Sequence, residues 1–119
     1  MIQIKRAYEP PAPTDGMRIL VDRLWPRGLT KDDLSITDWI KEVGPSNELR
    51  RWFGHKPERW RSFLSKYFRE LDEKQAEWQP ILDKARRHHV TLIYGAKDTE
   101  HNNAVALKEY LEQKLDNPS

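Results

Sequence analysis

Val90-Thr91-Leu92-Ile93-Tyr94 runs five residues without a charge or a turn former. A strand with one wet face alternates apolar and polar residues, so a continuous run marks a strand buried on both faces. Arg18-Ile19-Leu20-Val21-Asp22 has the same apolar centre, and Ile2-Gln3-Ile4-Lys5-Arg6 alternates as a shorter strand. Doubly buried strands need cover on both faces, and helical crossovers between parallel strands supply it.

The intervening sequence carries those helices. Ser46 is placed to cap a short helix ending near Trp52 or Phe53, where Gly54 stops it. Pro57 stands at the first-turn position of a long helix. Trp60, Phe63, Leu64, Tyr67, Phe68 and Leu71 then repeat at helical spacing along one face. Pro80 cannot sit deep in a helix, so another helix is expected to open near it and run to about His88. It would bury Trp78, Ile81, Leu82 and Ala85. Asn102 or Asn103 caps a last helix with Ala104, Leu107, Leu111 and Leu115 along one side. Ile36, Trp39, Ile40 and Val43 fit helical spacing, yet the stretch is short and rich in β-branched residues, so residues 36–43 read as extended or strand-like. Pro10-Pro11-Ala12-Pro13 is a stiff surface connection. The expectation is a single compact α/β domain over residues 1–119. It has a small, mostly parallel sheet of three or four strands, helices on its faces and a flexible tail at 116–119.

A chain of 119 residues accommodates one core comfortably and two only marginally. It has no cysteine, which excludes disulfides, a thiol nucleophile, iron–sulfur clusters and thiolate zinc sites. No apolar run approaches the roughly 20 residues of a membrane span, and Met1-Ile2-Gln3-Ile4-Lys5-Arg6 has no signal-peptide apolar region. A soluble cytoplasmic protein without membrane contact is expected. There is no phosphate loop, no dinucleotide glycine fingerprint, no nucleophile elbow and no His-Glu-x-x-His pair. Asp98 and His101 together supply only two metal ligands. Neither a metal nor a cofactor is expected.

The net charge of +2 conceals an uneven distribution. Residues 46–70 hold seven basic side chains (Arg50, Arg51, Lys56, Arg59, Arg61, Lys66, Arg69) against three acidic. Residues 90–119 hold three against five. A basic middle favours anionic partners without establishing nucleic-acid binding.

Ligands of parallel α/β sheets sit beyond the carboxyl ends of the strands. Two loops answer that description. In Asp22-Arg23-Leu24-Trp25-Pro26-Arg27-Gly28, Arg23 and Arg27 offer planar recognition of phosphate or carboxylate. Asp22 is placed to orient Arg23, and Trp25 to stack on a ring. The plainer alternative is surface ion pairing, with Trp25 plugging the sheet edge. In Gly95-Ala96-Lys97-Asp98-Thr99-Glu100-His101-Asn102-Asn103, the chain enters a helix whose N-terminal amides attract anions. His101, with Asp98, suits acid–base work, and Asn102 and Asn103 suit a base or sugar edge. The plainer alternative here is capping alone. Ser46, Glu48, Arg50 and His55 form a third polar group near the ends of the short helix. Tyr67 and Glu70 are weaker candidates. Trp39, Trp60 and Trp78 read as core, whereas Trp25 and Trp52 are the tryptophans open to a ligand.

Several runs together resemble one family. They are Val21-Asp22-Arg23-Leu24-Trp25-Pro26-Arg27-Gly28; Trp39 with Gly44-Pro45-Ser46; Glu48-Leu49-Arg50; Trp52-Phe53-Gly54-His55; Tyr67 with Glu70-Leu71; and Thr91-Leu92-Ile93-Tyr94-Gly95-Ala96-Lys97-Asp98 leading to His101-Asn102-Asn103-Ala104. The pattern resembles the DUF488 domains of unknown function, in their small bacterial YeaO-like branch, over about residues 2–115. The resemblance implies a compact α/β domain and no particular activity. Gly44 and Gly95 stand where the family more often has Ala.

The motif residues coincide with the two loops and the 46–55 segment. The resulting expectation is an enzyme or binding domain whose one polar cleft takes a small anionic, phosphate- or nucleotide-like ligand. Arg23, Trp25, Arg27, Ser46, Arg50, Asn102 and Asn103 would hold the ligand. His101, His55 and Asp98 would supply any acid–base chemistry. The alternatives are a nucleic-acid module using residues 46–70, or a non-catalytic interaction protein.

Overall fold

The structure, a computed structural model, describes residues 1–116. Apart from Asp116, the tail expected at 116–119 lies outside the described residues. Four strands, β1 (Ile2–Arg6), β2 (Met17–Leu20), β3 (Asp38–Trp39) and β4 (Val90–Tyr94), form one sheet in the order β1-β4-β2-β3. Every pairing is parallel, with Leu92 opposite both Ile4 and Ile19. The uncharged run is thus the inner strand β4, buried along its whole length.

Among the described residues there are five α-helices: α1 (Lys31–Leu34), α2 (Asn47–Phe53), α3 (Trp60–Asp72), α4 (Gln75–Arg87) and α5 (Asn103–Asp116). They divide unevenly between the faces. Ile2, Ile19, Val21, Val90, Leu92 and Tyr94 share one cluster with Phe53, Phe63, Tyr67, Leu71, Trp78, Ile81, Leu107 and Leu111. The alternate residues Leu20 and Ile93 pack instead with Ala7 and Leu34, flanked by Trp25, Leu29, Ile36 and Trp39. Strand periodicity of two sorts the residues this way. The four longer helices cover one face, while α1 and its flanking loops cover the other.

That second face also holds a buried polar network. Arg18 and Asp15 are only 4% and 3% exposed. Arg18 donates to Asp15 at 2.6 Å and to the Leu34 carbonyl at 3.1 and 2.9 Å. Lys5 reaches the same carboxylate at 3.1 Å, and Thr91 donates to the Asp15 carbonyl at 2.6 Å.

Several boundaries differ from the sequence expectation. Strand β2 spans 17–20 rather than 18–22, although the Val21 N–H still donates to Ile93. Residues 36–43 split into β3 and a 3-10 turn at Lys41–Val43. Pro57 opens a 3-10 turn, Pro57–Arg59, which leads into α3. Helix α4 begins at Gln75, five residues before Pro80. Pro80 is the sixth residue of the helix, so its ring removes only the bond to the Ala76 carbonyl. Burial of Trp78, Ile81, Leu82 and Ala85 sustains the helix around it.

Candidate functional site

The loops after β2 and β4 converge with the end of α2 around a cleft of about 660 Å³. It lies at the carboxyl ends of the strands, where parallel α/β sheets place ligands. Asp22, Arg23, Trp25 and Arg27 form one wall. Gly95, His101, Asn102 and Asn103 form the second, and Arg50, Arg51 and His55 the third. Tyr8, Leu24, Phe53 and Phe63 add apolar surface. All three segments contribute to the lining, the third through Arg50, Arg51 and His55 and not through Ser46 or Glu48.

Among the described residues, Asp22 is the only carboxylate on this lining. Its Oδ2 accepts the Gly95 N–H at 2.9 Å, and its Oδ1 is shut from solvent with no hydrogen-bond partner among the described residues. Burial pushes its pKa above the ordinary value, against the lowering effects of the Gly95 N–H, the Asn103 amide and the Arg50 charge. The sequence reading paired Asp22 with Arg23, and that pairing is corrected. Arg23 donates to the Pro45 and Gly44 carbonyls at 2.7 and 3.2 Å and reaches Glu42 at 3.6 Å. It ties the loop after β2 to residues 42–45.

The other guanidiniums are less committed. Arg27 is exposed, with no side-chain partner among the described residues; only its carbonyl is engaged, by the Tyr8 hydroxyl at 2.9 Å. Arg50 donates to the Asn47 side chain at 2.8 Å. Arg51, which sequence reasoning left off the site, has no side-chain partner among the described residues. Its adjacency to Arg50 was the available signal. Tyr8 and Leu24 carried none.

Trp25 lines the cleft but is anchored: its Nε1 donates to Leu29 at 2.6 Å and its ring meets Trp39 edge-on at 5.4 Å. Trp52 lies off the cleft, 36% exposed, with Arg59 and Lys66 over its ring. Ser46 is also outside the lining. It caps α2 by accepting the Leu49 N–H, and its hydroxyl donates to Glu70 at 2.6 Å. Glu70 and Tyr67, whose buried hydroxyl donates to Val43 at 2.7 Å, brace the same loop from α3.

The third group is a histidine–aspartate pair. His101 Nδ1 donates to Asp98 Oδ2 at 3.0 Å, while Asp98 Oδ1 accepts the N–H groups of Glu100 and His101. The Glu100 N–H, then the His101 ring and N–H, hold the Asp98 carboxyl below its usual range. The His101 ring stands edge-on to Trp60, 5.3 Å between centroids. With Nδ1 occupied and the ring braced, Nε2 is the nitrogen left for the cleft. His55 lies in the left-handed region (φ 57) directly after the Gly54 cap (φ 53), exposed at the opposite lip.

Asn102 caps α5: it accepts the Val105 N–H and donates to the Asp98 carbonyl, both at 2.9 Å. Asn103 donates to the Val21 carbonyl at 3.1 Å and stitches the two loops together. Among the described residues, no group of three His, Asp or Glu side chains could hold a metal ion. No helix among them is long and apolar enough to cross a membrane.

Fold and cleft define a small parallel α/β domain with an arginine-rich pocket at its strand ends. The chain belongs to the DUF488 family: the model described as "Inactive DUF488-N3 subclade" matches residues 1–119. It is 44% identical over 110 residues to the Escherichia coli K12 protein named "Uncharacterized protein YeaO", covering 92% of this chain and 96% of that one. It is 38% identical over 110 residues to Mb3100c of Mycobacterium bovis and to Rv3073c of Mycobacterium tuberculosis, covering 92% of each chain. No solved structure matches.

Proposed function

We propose that this chain is a binding domain for a small anionic ligand, phosphate- or nucleotide-like in charge and size. One observation carries the reading: four guanidiniums, Arg23, Arg27, Arg50 and Arg51, line the cleft against the single carboxylate of Asp22. Arg27, Arg50 and Arg51 contact the ligand, and Arg23 positions their loop. The forked geometry of Arg suits phosphate oxygens. His101 Nε2 faces the ligand from the wall braced by Asp98 and Trp60. The family description, "inactive", accords with binding rather than turnover.

A thermal-shift and calorimetric screen of inorganic phosphate, nucleotides and sugar phosphates tests this reading. A ligand at a hundredfold excess over its Kd raises stability by about 2.7 kcal/mol. That gain disappears in Arg27→Ala and Arg50→Ala. A flat response across the whole set would remove the proposal.

A further inference from the structure

The cleft does not stand alone on its face of the molecule. Arg50 and Arg51 of α2 line it, and the next residue, Trp52, is an exposed tryptophan outside it. Over that ring stand Arg59, with its charge centre 5.1 Å from the ring centroid, and Lys66 at 5.2 Å. Arg59 also donates to the Trp52 carbonyl. Lys66 and Arg69 project from α3 one turn apart, both exposed.

Local acids do not neutralise this charge. None of the seven basic side chains of residues 46–70 forms an ion pair among the described residues. Of the three acidic ones, Glu70 is turned inward to Ser46. An unpaired basic strip therefore runs from the cleft across α2 to α3, with an aromatic ring along its course.

Resting on the proposed reading of the cleft, we infer that its ligand is one nucleotide of a single-stranded nucleic acid, the flanking strand lying over Trp52, Arg59 and Lys66. Single strands are bound by combining cations that follow the phosphates with aromatic side chains on which bases stack. Both parts are present beside a pocket too small for a polymer. Arg59 over the ring extends the stackable surface, since bases stack on guanidinium planes as well as on aromatic rings. An acidic peptide would match the charge but leave Trp52 without a role. Thymidine monophosphate fills the cleft alone; an oligonucleotide engages cleft and strip together.

The test titrates the full chain with a short oligothymidylate by fluorescence anisotropy, and with thymidine monophosphate by calorimetry. The oligonucleotide is expected to bind at least about tenfold more tightly, through stacking and added phosphate contacts. Its log K should fall with log salt at a slope of about −0.7 per phosphate neutralised. Trp52→Ala and Lys66→Glu each reduce oligonucleotide affinity about tenfold or more and leave the monophosphate unchanged. The Lys66 side chain is exposed and makes no hydrogen bond among the described residues, so its variant keeps the test open if Trp52→Ala unfolds.

Monophosphate binding with no gain for the oligonucleotide overturns this inference and leaves the cleft reading standing. Failure of both ligands overturns the cleft reading first. Polyglutamate that binds as tightly as the oligonucleotide and is equally sensitive to Lys66→Glu would replace nucleic acid with an acidic protein.

Discussion

Asp22 and Gly95 lie 73 residues apart in sequence and 2.9 Å apart at the carboxylate–amide hydrogen bond that joins the loops after β2 and β4. The bond uses one oxygen. The other is buried without a hydrogen-bond partner among the described residues, and burial raises the pKa of the group above its ordinary 3.8. The sign of the pH dependence follows. Above 3.8 the unfolded carboxyl is ionised while the folded one still holds its proton, so the folded state binds more protons and stability falls as pH rises toward the folded pKa. Asp22→Asn keeps an acceptor for Gly95 and removes the buried charge. It should stabilise the protein by about 1 kcal/mol at neutral pH and by less near pH 4. Urea unfolding of both proteins across that range checks this; equal stability at neutral pH would contradict it.

Arg23 and Arg27 look alike in sequence and differ in what their guanidiniums touch. Arg23→Ala leaves the Pro45 carbonyl without its side-chain donor and the Gly44 carbonyl with Lys74 alone, at 3.3 Å, and should destabilise the fold by about 1–3 kcal/mol. Arg27→Ala removes an exposed side chain and should change stability by no more than about 0.5 kcal/mol. Phosphate affinity should show the opposite ranking at a temperature where both variants are folded, with Arg27→Ala the more damaging. Denaturant midpoints and calorimetric titrations on the two variants separate the roles.

This pair also shows what the sequence could and could not express. Strand β4, the caps at Ser46 and Gly54, and a cap at Asn102 or Asn103 were legible because run length and local chemistry specify them, and the structure selects Asn102. The loops flanking the cleft were legible because strand ends are where such sites form. The partners of Arg23 were not, because they are backbone carbonyls, which leave no mark in residue type. The burial of Asp22 was hidden because Gly95 and Asn103 reach it only through the β2–β4 pairing. Pro80 misled for a related reason: buried neighbours, not local propensity, decided where α4 begins.

Asp15 and Arg18 form a nearly inaccessible ion pair at 2.6 Å. Burial alone would raise the Asp15 pKa, but the Ala12 N–H, Lys5 and Arg18 together outweigh it and lower the pKa below 3.8. A depressed folded pKa means that the stabilisation is present above 3.8 and lost as pH falls through the folded value. Asp15→Ala leaves the Arg18 guanidinium buried without its counter-charge and should destabilise by about 3 kcal/mol. Asp15→Asn should unfold less steeply below about pH 4 than the natural chain does. Circular dichroism across an acid titration reads both effects, and an unchanged acid limb in Asp15→Asn would count against this origin of acid lability.

Gly16 makes the turn into β2 with φ +65, and Met17 then donates to the His89 carbonyl at 2.9 Å. That bond brings the backbone before β4 against Gly16. A Cβ there would stand 2.2 Å from the His89 oxygen and 2.8 Å from its carbonyl carbon. These are backbone atoms held by the sheet, so a side-chain rotation cannot relieve the clash, and the left-handed φ adds its own strain. Gly16→Ala should therefore destabilise by about 3 kcal/mol, with the loss expressed as a separation of β2 from β4. Gly54→Ala is the matched comparison: it shares the left-handed conformation (φ +53), but its nearest contact is 3.4 Å from Arg51. It should cost only about 1 kcal/mol. Chemical denaturation of the two variants side by side isolates the steric part. Equal losses would show that backbone conformation alone, not the approach of His89, requires glycine at position 16.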